Sequence, residues 1–256
     1  MDAPPARAWR REGEALLRLR LMRPKANILD ASMIAALDAA LTAGLASGPT
    51  LAVLIDAEGP HFSFGASVEE HLPAQCAAML RGFHALLLRL LALPVPVLCV
   101  VRGQCLGGGL ELVLTASRIF AAPDAMFGQP EIRLGVFAPA ASALLPERIG
   151  RPAAEGMLLS GRSLGAAEAR SIGLIQTVSE DPAGDAEEWF ATHLADKSAA
   201  ALAHAMAAAR ADLIARTRVR LSELEALYLD GLMRTEDALA GLQAFLAKRT
   251  PHWEHR

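Results

Sequence analysis

Hydrophobic and polar residues alternate along the first part of the chain and then recur at helical spacing. From Glu14 to Met22, leucines alternate with arginines, which is the period of a strand with one buried face. After Asp30, a suitable helix N-cap, apolar residues recur on one helical face until Gly48 ends the unit. Further along we predict strands over Leu51–Asp56 and Val95–Val101, and helices over Pro73–Leu93 and Leu110–Ala116.

The order of these elements predicts the fold class. Strand-like and helix-like segments alternate up to Val178, which is typical of an α/β protein with a mainly parallel sheet. From Ala183 onward the residues favour helices. We therefore predict a core over residues 1–197 and a helical C-terminal region over residues 198–256. That region carries more leucines than one subunit would cover, which predicts an oligomer: Leu221, Leu224, Leu227 and Leu232.

Composition excludes several classes of protein. The 256 residues carry 25 Lys+Arg against 28 Asp+Glu, and the net charge of −3 predicts neither a nucleic-acid nor a membrane partner. A hydrophobic content of 53% excludes a disordered chain. Two prolines interrupt the longest apolar run, Leu90–Val101, and a spanning helix needs about 20 apolar residues. An odd number of cysteines without a CxxC pair, and an N-terminus without a signal sequence, predict a cytoplasmic protein.

Several common catalytic motifs are incomplete. Gly161–Gly165 matches the nucleophile elbow GxSxG, but the residues before Ser163 predict a helix where that motif needs a strand. We interpret Ser163 as the N-cap of a helix over residues 166–172. The glycines between Gly103 and Gly109 do not complete GxGxxG, and there is no P-loop sequence. The seven histidines show no HExxH spacing, so we expect no metal site.

One carboxylate stands out, because Glu111 is the only charged residue between Arg102 and Arg118. A carboxylate in an apolar helix is costly unless it is paired or used. Glu111 is either satisfied by backbone N–H groups near a helix start or acts as a catalytic acid or base with a shifted pKa. The glycines Gly107–Gly109 before it allow close approach of the backbone and leave N–H donors free, which suits a developing oxyanion.

A second carboxylate and a second loop add to this candidate site. Glu131 follows Pro130 in FGQPEIRLGVFAP, and two carboxylates from separate elements are able to flank one water. The alternative for Glu131 is a surface glutamate paired with Arg133. Gly65–Ala66 ends the loop that follows a predicted strand, where ligands often bind in open α/β sheets.

Several ordered stretches resemble the crotonase (enoyl-CoA hydratase/isomerase) superfamily: RPKANILD, HFSFGAS, PVPVLCVVRGQCLGGGLEL, FGQPEIRLGV, LLSGRSLGAAEARSIGLI and FLAKRTPHW. The resemblance implies a crotonase-like (ClpP/crotonase) spiral of ββα units with C-terminal oligomerisation helices. It also implies trimers, often paired as dimers of trimers. The implied substrate is an acyl-CoA thioester whose CoA is part of the substrate, and no separate cofactor is expected.

The resemblance also assigns roles to individual residues. Ala66 and Gly108 match the two backbone N–H donors of the family's oxyanion hole, and Glu111 and Glu131 match its two catalytic glutamates. Because many members lack one or both glutamates, their joint presence favours hydration. Residues matched to the CoA portion are Lys25, Ala26 and Lys248, of which the two lysines are otherwise solvated surface residues.

The chain departs from ordinary hydratases at two places near these residues. Ser67 stands where they carry aspartate, and Pro139 stands where a glycine N–H helps to hold the water. Proline has no N–H, so the water must be held differently. These departures resemble hydratases that act on a cyclic dienoyl-CoA during anaerobic aromatic degradation, which implies 1,4-addition of water. Flat apolar walls for such a ring are offered by Phe62, Phe64 and Phe137, although core packing explains these residues equally well.

Other functions remain open at this point. A general hydratase of linear enoyl-CoA substrates is the nearest alternative, and Ser67 and Pro139 argue against it. An enoyl-CoA isomerase is disfavoured, because two glutamates suit the addition of water better than isomerisation. A non-catalytic crotonase-fold protein that binds RNA is disfavoured by the net charge of −3.

Overall fold

The computed structural model describes residues 4–11 and 13–256, and their strands form two sheets. The strands are β1 (Ala6–Trp9), β2 (Leu16–Leu21), β3 (Ala52–Ala57), β4 (Val97–Val101), β5 (Gln104–Leu106), β6 (Arg118–Ala121), β7 (Met126–Gly128), β8 (Ser163–Gly165) and β9 (Thr177–Val178). The larger sheet has the order β1-β2-β3-β4-β6-β9 and is parallel except for the β1–β2 pair. The smaller sheet has the order β5-β7-β8, in which β8 is antiparallel.

Helices cover the sheets and form the C-terminal part of the chain. They are α1 (Ala31–Ala46), α2 (Cys76–Leu91), α3 (Gly108–Val113), α4 (Pro139–Ile149), α5 (Arg151–Ser160), α6 (Ala166–Ser171), α7 (Pro182–His193), α8 (Ala199–Ala226) and α9 (Glu236–Leu246). Short 3₁₀ turns lie at Glu69–His71, Pro130–Leu134 and Leu232–Arg234, and a π-helical segment at Leu227–Gly231 continues α8.

Successive turns of the chain add one strand to each sheet. β4 in the larger sheet is followed by β5 in the smaller sheet and then by α3, and β6 and β7 repeat this order before α4. This is the spiral of ββα units that the resemblance implies. All five residues of β4 are buried, because helices cover both faces of a parallel sheet.

The predicted segments of the first half are confirmed with small shifts at their ends. The Asp30 side chain accepts a hydrogen bond from the Met33 N–H at 2.7 Å and caps α1 as predicted. The glycine-rich segment Gly103–Gly109 contains the three-residue strand β5, which is too short to leave a periodic signal. The strand from Glu14 is correctly placed, but it is buried on both faces. Arg18 is only 4% exposed, and Glu187 of α7 pairs with its guanidinium at 2.9 Å.

The prediction for Ser163 is wrong in one respect. Ser163 is the first residue of β8 and pairs with Gly128 of β7, while Gly165 occupies the N-cap position of α6. A helix, α5, precedes it, so the strand–turn–helix arrangement of a nucleophile elbow is not formed. Ser163 is therefore not placed as a nucleophile. The reason is that it pairs within β8, and not that it caps a helix.

The C-terminal helices bury on their own core some of the leucines that were predicted to contact another subunit. The expected boundary after residue 197 lies in the link between α7 and α8, and α8 packs against α2 and α4. Leu221 and Leu224 are buried within the same chain, so the argument that they exceed one subunit's capacity is wrong for these two. Leu227 is 58% exposed and Val219 is 59% exposed, which leaves an apolar surface on this helix. Within the described residues, no helix combines the length and apolar character needed to cross a membrane.

Candidate active site

Two loops that follow neighbouring strands of the larger sheet place the backbone N–H groups of Ala66 and Gly108 side by side. The loops are joined by backbone hydrogen bonds, including Leu106 N–H to the Ser63 carbonyl at 2.9 Å. A Cβ atom built on Gly108 would lie 3.1 Å from the nitrogen of Ala66, which measures how closely the two peptides approach. Neither N–H donates a hydrogen bond to any other residue of the described ranges. The pair is therefore free to bind one oxygen of a ligand, as an oxyanion hole requires.

Gly107 fits this site for two separate reasons. Its φ of +51° lies in the left-handed region, where residues with a Cβ are strained. A Cβ atom on Gly107 would also lie 2.5 Å from Oε1 of Glu131. A side chain at this position would therefore displace the carboxylate that faces the cavity.

Glu111 lies on α3 with only 5% of its surface exposed, and its carboxylate contacts the first turn of α4. Ala141 donates its backbone N–H to Oε1 of Glu111 at 2.7 Å, and the N–H of Ala140 also faces the carboxylate. Pro139 is the first residue of α4, so the next two residues present N–H groups without partners inside the helix. Backbone donors thus satisfy Glu111, as one of its two interpretations expects, and they also fix its position beside the site.

Glu131 lies in the 3₁₀ turn Pro130–Leu134 and lines the same cavity as Ala66 and Gly107. The amide of buried Gln129, with its nitrogen turned toward the carboxylate, donates to both oxygens of Glu131 at 2.9 and 3.1 Å. The alternative of a surface pair with Arg133 is wrong, because Glu131 lines the cavity and its carboxylate lies against Gly107.

The two carboxyl groups affect each other's protonation. Burial raises the pKa of Glu111 to about 7, although the N–H groups of Ala141 and Ala140 oppose this rise. Burial and then the charge of Glu111 raise the pKa of Glu131 to about 8. Glu111 is buried and Glu131 is half-buried. Because two neighbouring carboxylates with little access to solvent do not both ionise easily, the pair retains a proton near neutral pH. One group is then available as a base and the other as an acid.

A cavity of about 920 Å³ opens beside Glu131 and Ala66, whereas Glu111 and Gly108 are buried and do not line it. Five residues of the sequence prediction line it: Ala26, Phe64, Ala66, Ser67 and Glu131. The rest of the wall is largely apolar, with Ile28, Val68, Leu134, Val136 and Phe245 among its residues, and Arg133 and Arg249 add positive charge. Phe64 is 41% exposed and contacts the His61 ring edge-on at 5.0 Å. Asp30 and Glu69 also line it, so its charged residues are of both signs. The cavity therefore suits a mainly apolar ligand.

The other predicted ligand-binding residues do not line this cavity. Lys25 and Lys248 are exposed and lie next to lining residues, Ala26 and Arg249. Phe137 packs against Tyr228 at 5.2 Å between ring centroids, behind the cavity wall. Pro139 is buried at the start of α4 and acts through the N–H groups that follow it. Phe62 is 1% exposed and belongs to the core, as its alternative interpretation states.

Sequence reasoning missed several contributors to the site. The N–H groups of Ala140 and Ala141 were detectable in principle, since Pro139 is a common first residue of a helix. Gln129 lies within the stretch FGQPEIRLGV, and its burial next to Glu131 was not predictable from that stretch alone. Residues 4–11 and 13–256 contain no group of three or more His, Cys, Asp or Glu side chains arranged to hold a metal ion.

Comparison with known proteins places this geometry in a family. The sequence profile of the enoyl-CoA hydratase/isomerase family matches residues 11–256. Cyclohexa-1,5-dienecarbonyl-CoA hydratase of Thauera aromatica is 56% identical over 252 residues, which cover 98% of each chain. The 2,3-dehydroadipyl-CoA hydratase of Escherichia coli is 32% identical over 95% of this chain and 96% of its own.

A solved structure agrees with these sequence matches. The crystal structure of an enoyl-CoA hydratase from Mycobacterium avium superposes with a TM-score of 0.87 at 26% identity, over 99% of this chain and 100% of the other. Sequence and fold thus agree over nearly the whole length with proteins that share the spiral of ββα units. The chain belongs to the enoyl-CoA hydratase/isomerase family, the superfamily that its motifs resemble.

Proposed function

We propose that this protein is a hydro-lyase that adds water to cyclohexa-1,5-diene-1-carbonyl-CoA and forms 6-hydroxycyclohex-1-ene-1-carbonyl-CoA. The observation that carries this proposal is that two carboxyl groups with raised pKa lie beside two free backbone N–H groups. The choice of substrate is supported by the 56% identity to a hydratase with that name. Such a substrate arises by reduction of an aromatic acyl-CoA, so the reaction would follow benzoyl-CoA reduction in anaerobic aromatic degradation.

The N–H groups of Ala66 and Gly108 would bind the thioester oxygen. When water attacks the β-carbon of the conjugated diene, negative charge moves into an extended dienolate that includes this oxygen. Donors already in place stabilise that charge without reorganisation, and loss of one such donor in other enzymes costs about 10²–10³ in rate. The apolar walls of the cavity exclude water from the rest of the ring.

Glu111 and Glu131 would move the two protons of the reaction. The ionised member of the pair accepts a proton from the attacking water, and the protonated member donates one to the γ-carbon. The water supplies the hydroxyl group and one proton, so the addition balances without an oxidant, reductant or separate cofactor. Protonation at the γ-carbon leaves one double bond conjugated to the thioester and gives the 6-hydroxy product.

Hydration in deuterated water tests the direction of addition. We expect deuterium at carbon 3 of the product, which lies across the ring from the hydroxyl-bearing carbon. Deuterium on the carbon adjacent to the hydroxyl-bearing carbon would indicate 1,2-addition and contradict the proposal. Turnover of crotonyl-CoA, measured in parallel, should be slower than that of the cyclic diene. Faster turnover of crotonyl-CoA would favour the alternative of a general enoyl-CoA hydratase.

We further propose that the protein acts as a trimer or a dimer of trimers in the cytoplasm. Exposed apolar side chains outside the cavity support the assembly: Leu159, Val219 and Leu227 are 71%, 59% and 58% exposed. Such side chains on several helices are typical of surfaces buried by a partner. All three cysteines are free and buried, which is compatible with a reducing compartment. Sedimentation equilibrium at micromolar concentration should give a multiple of three protomers, and a monomer would contradict the assembly.

A further inference from the structure

Ser63 is a fully buried serine in the loop that ends at the oxyanion donor Ala66, and it does not line the cavity. Its hydroxyl donates a hydrogen bond to the backbone carbonyl of Asn27 at 2.8 Å. The same oxygen accepts the backbone N–H of Gly65 at 3.0 Å. One buried hydroxyl therefore joins a distant segment of the chain to the residue immediately before Ala66.

Gly65 needs to be held in place, because a glycine backbone rotates more freely than that of other residues. Its φ of +101° lies in the left-handed region, which glycine enters without strain. The Leu29 N–H donates to the Gly65 carbonyl at 2.9 Å. This carbonyl and the Ala66 N–H belong to one planar peptide and point in opposite directions, so the bond to Leu29 turns the Ala66 N–H away from it. Ser63 and Leu29 thus hold the two sides of Gly65 and together set the direction of the Ala66 donor.

The carbonyl to which Ser63 donates lies in a well-anchored part of the chain. The side chain of Asn27 is fully buried, and its Nδ2 donates to the carbonyls of Glu58 and His61 at 2.9 and 3.0 Å. Its Oδ1 accepts the backbone N–H of Arg23 at 2.9 Å. Because both polar atoms of this side chain are bonded to backbone groups, the Asn27 carbonyl is a fixed anchor for the Ser63 hydroxyl.

Ser63 also contacts the segment that carries the second donor, Gly108. Its backbone carbonyl accepts the Leu106 N–H at 2.9 Å. A Cβ atom built on Gly109 would lie 2.7 Å from the Cβ of Ser63, so the first turn of α3 rests directly on this serine. A Cβ atom on Gly65 would lie 3.2 Å from the nitrogen of Gly108. A displacement of Gly65 would therefore disturb the alignment of both donors.

We infer that Ser63 is a positioning residue, whose hydroxyl holds the Ala66 and Gly108 N–H groups in the geometry that binds the thioester oxygen. The inference rests on the proposed function, because that function assigns these two N–H groups to an acyl-CoA thioester. In Ser63→Ala, the Asn27 carbonyl and the Gly65 N–H both lose this partner. Gly65 is then held from one side only, and the Ala66 donor loses its alignment.

The substitution Ser63→Ala tests this inference through the hydration rate and the polarisation of the thioester carbonyl. We expect kcat to fall about 10–10²-fold, because a misplacement of about 1 Å in an active site costs about 10²-fold. KM should stay within about two-fold of wild type, since the cavity wall is unchanged. The infrared carbonyl band of bound cyclohexanecarbonyl-CoA, labelled with carbon-13 at the thioester carbon, should lie at higher frequency than in the wild type. Weaker hydrogen bonds polarise that carbonyl less.

Thr115→Val is the matched control for loss of a buried hydroxyl. Thr115 is also fully buried, its hydroxyl donates to the Leu112 carbonyl at 2.8 Å, and it does not line the cavity. We expect both variants to lower the melting temperature by similar amounts, while the control keeps the wild-type kcat and carbonyl band. Ser63→Cys retains a weak donor and acceptor, so its kcat and band should lie between those of the wild type and Ser63→Ala.

A serine with only a structural role would lower the melting temperature without moving the carbonyl band. If Ser63→Ala keeps the wild-type band, and kcat within two-fold, the inference is overturned. Ser63→Cys decides by the same criterion if the alanine variant does not fold. An equal change in Thr115→Val would overturn the inference as well, since the effect would then not be local.

The wild-type protein separates failure of the inference from failure of the proposed function. If its bound thioester band stays at the position found in water, no oxyanion hole forms, and the proposed function fails together with the inference. If the band moves but the cyclic diene is not hydrated, only the proposed substrate is wrong. The shift of the carbonyl band in Ser63→Ala then still decides the role of Ser63.

Discussion

The substitution Gly107→Ala separates the stability of the fold from the placement of the catalytic carboxyl. Gly107 has a φ of +51°, and a Cβ atom there would lie 2.5 Å from Oε1 of Glu131. Gly173 provides a matched control, because its φ is +82° and a Cβ atom on it would meet nothing within 4 Å. Both alanine variants therefore carry the same kind of backbone strain, and only one of them disturbs the site.

The magnitudes follow from these two contacts. Left-handed backbone costs a residue with a Cβ about 1–2 kcal/mol, and both variants should lose about this much free energy of unfolding. The additional clash at Gly107 falls on the end of a flexible side chain, so we expect Glu131 to rotate away and the stability to change little more. Displacement of a catalytic group by about 1 Å is enough to cost about 10²-fold in rate. Gly107→Ala should therefore lose about 10²-fold or more in kcat/KM.

Urea denaturation and initial-rate hydration measure the two quantities independently. The variants should unfold at similar urea concentrations, and Gly173→Ala should keep nearly full activity. Near wild-type activity of Gly107→Ala would refute the placement of Glu131 against this glycine. Equal losses of activity in both variants would show that backbone strain, and not the displaced carboxyl, explains the effect.

Two further outcomes follow from the paired carboxyl groups. Glu111→Gln and Glu131→Gln should each lower the hydration rate by about 10²–10⁴. Binding of acyl-CoA, measured by calorimetry, should be kept in both variants. Near-normal turnover of either variant would show that the replaced glutamate has only a structural role. Because folding raises both carboxyl pKa values above the ordinary 4.5, the folded state binds extra protons, and the stability that this provides is complete below pH 4.5. It is lost as the pH rises through about 7 and 8, so the melting temperature of the wild type should fall relative to that of the double glutamine variant between pH 5 and 9. A constant difference across this range would show that the pKa values are not raised.

Local patterns were sufficient to predict the elements that surround the site. The alternation that marks a strand and the cap that begins a helix each involve only a few neighbouring residues. The alternation in β2 and the cap at Asp30 were therefore recognisable in the sequence. Glu111 stood out because burial of a lone charge is costly, and the structure places it among apolar residues with 5% exposure. The family motifs then connected Glu111 with Glu131, which lies 20 positions further along the chain.

Contacts between distant segments were not predictable in this way. The N–H of Ala141 meets Glu111 across 30 residues, and Tyr228 reaches the back of the cavity from the C-terminal helices. The leucine pattern wrongly predicted that Leu221 and Leu224 exceed what one subunit buries, whereas both are buried in the chain's own core. Ser163 was wrongly predicted to be a helix N-cap and instead pairs in a strand. In each case the environment of the residue depends on which helix or strand packs against it. Burial, free N–H groups and shifted pKa values arise from that packing, and a one-dimensional pattern carries no distance between its segments.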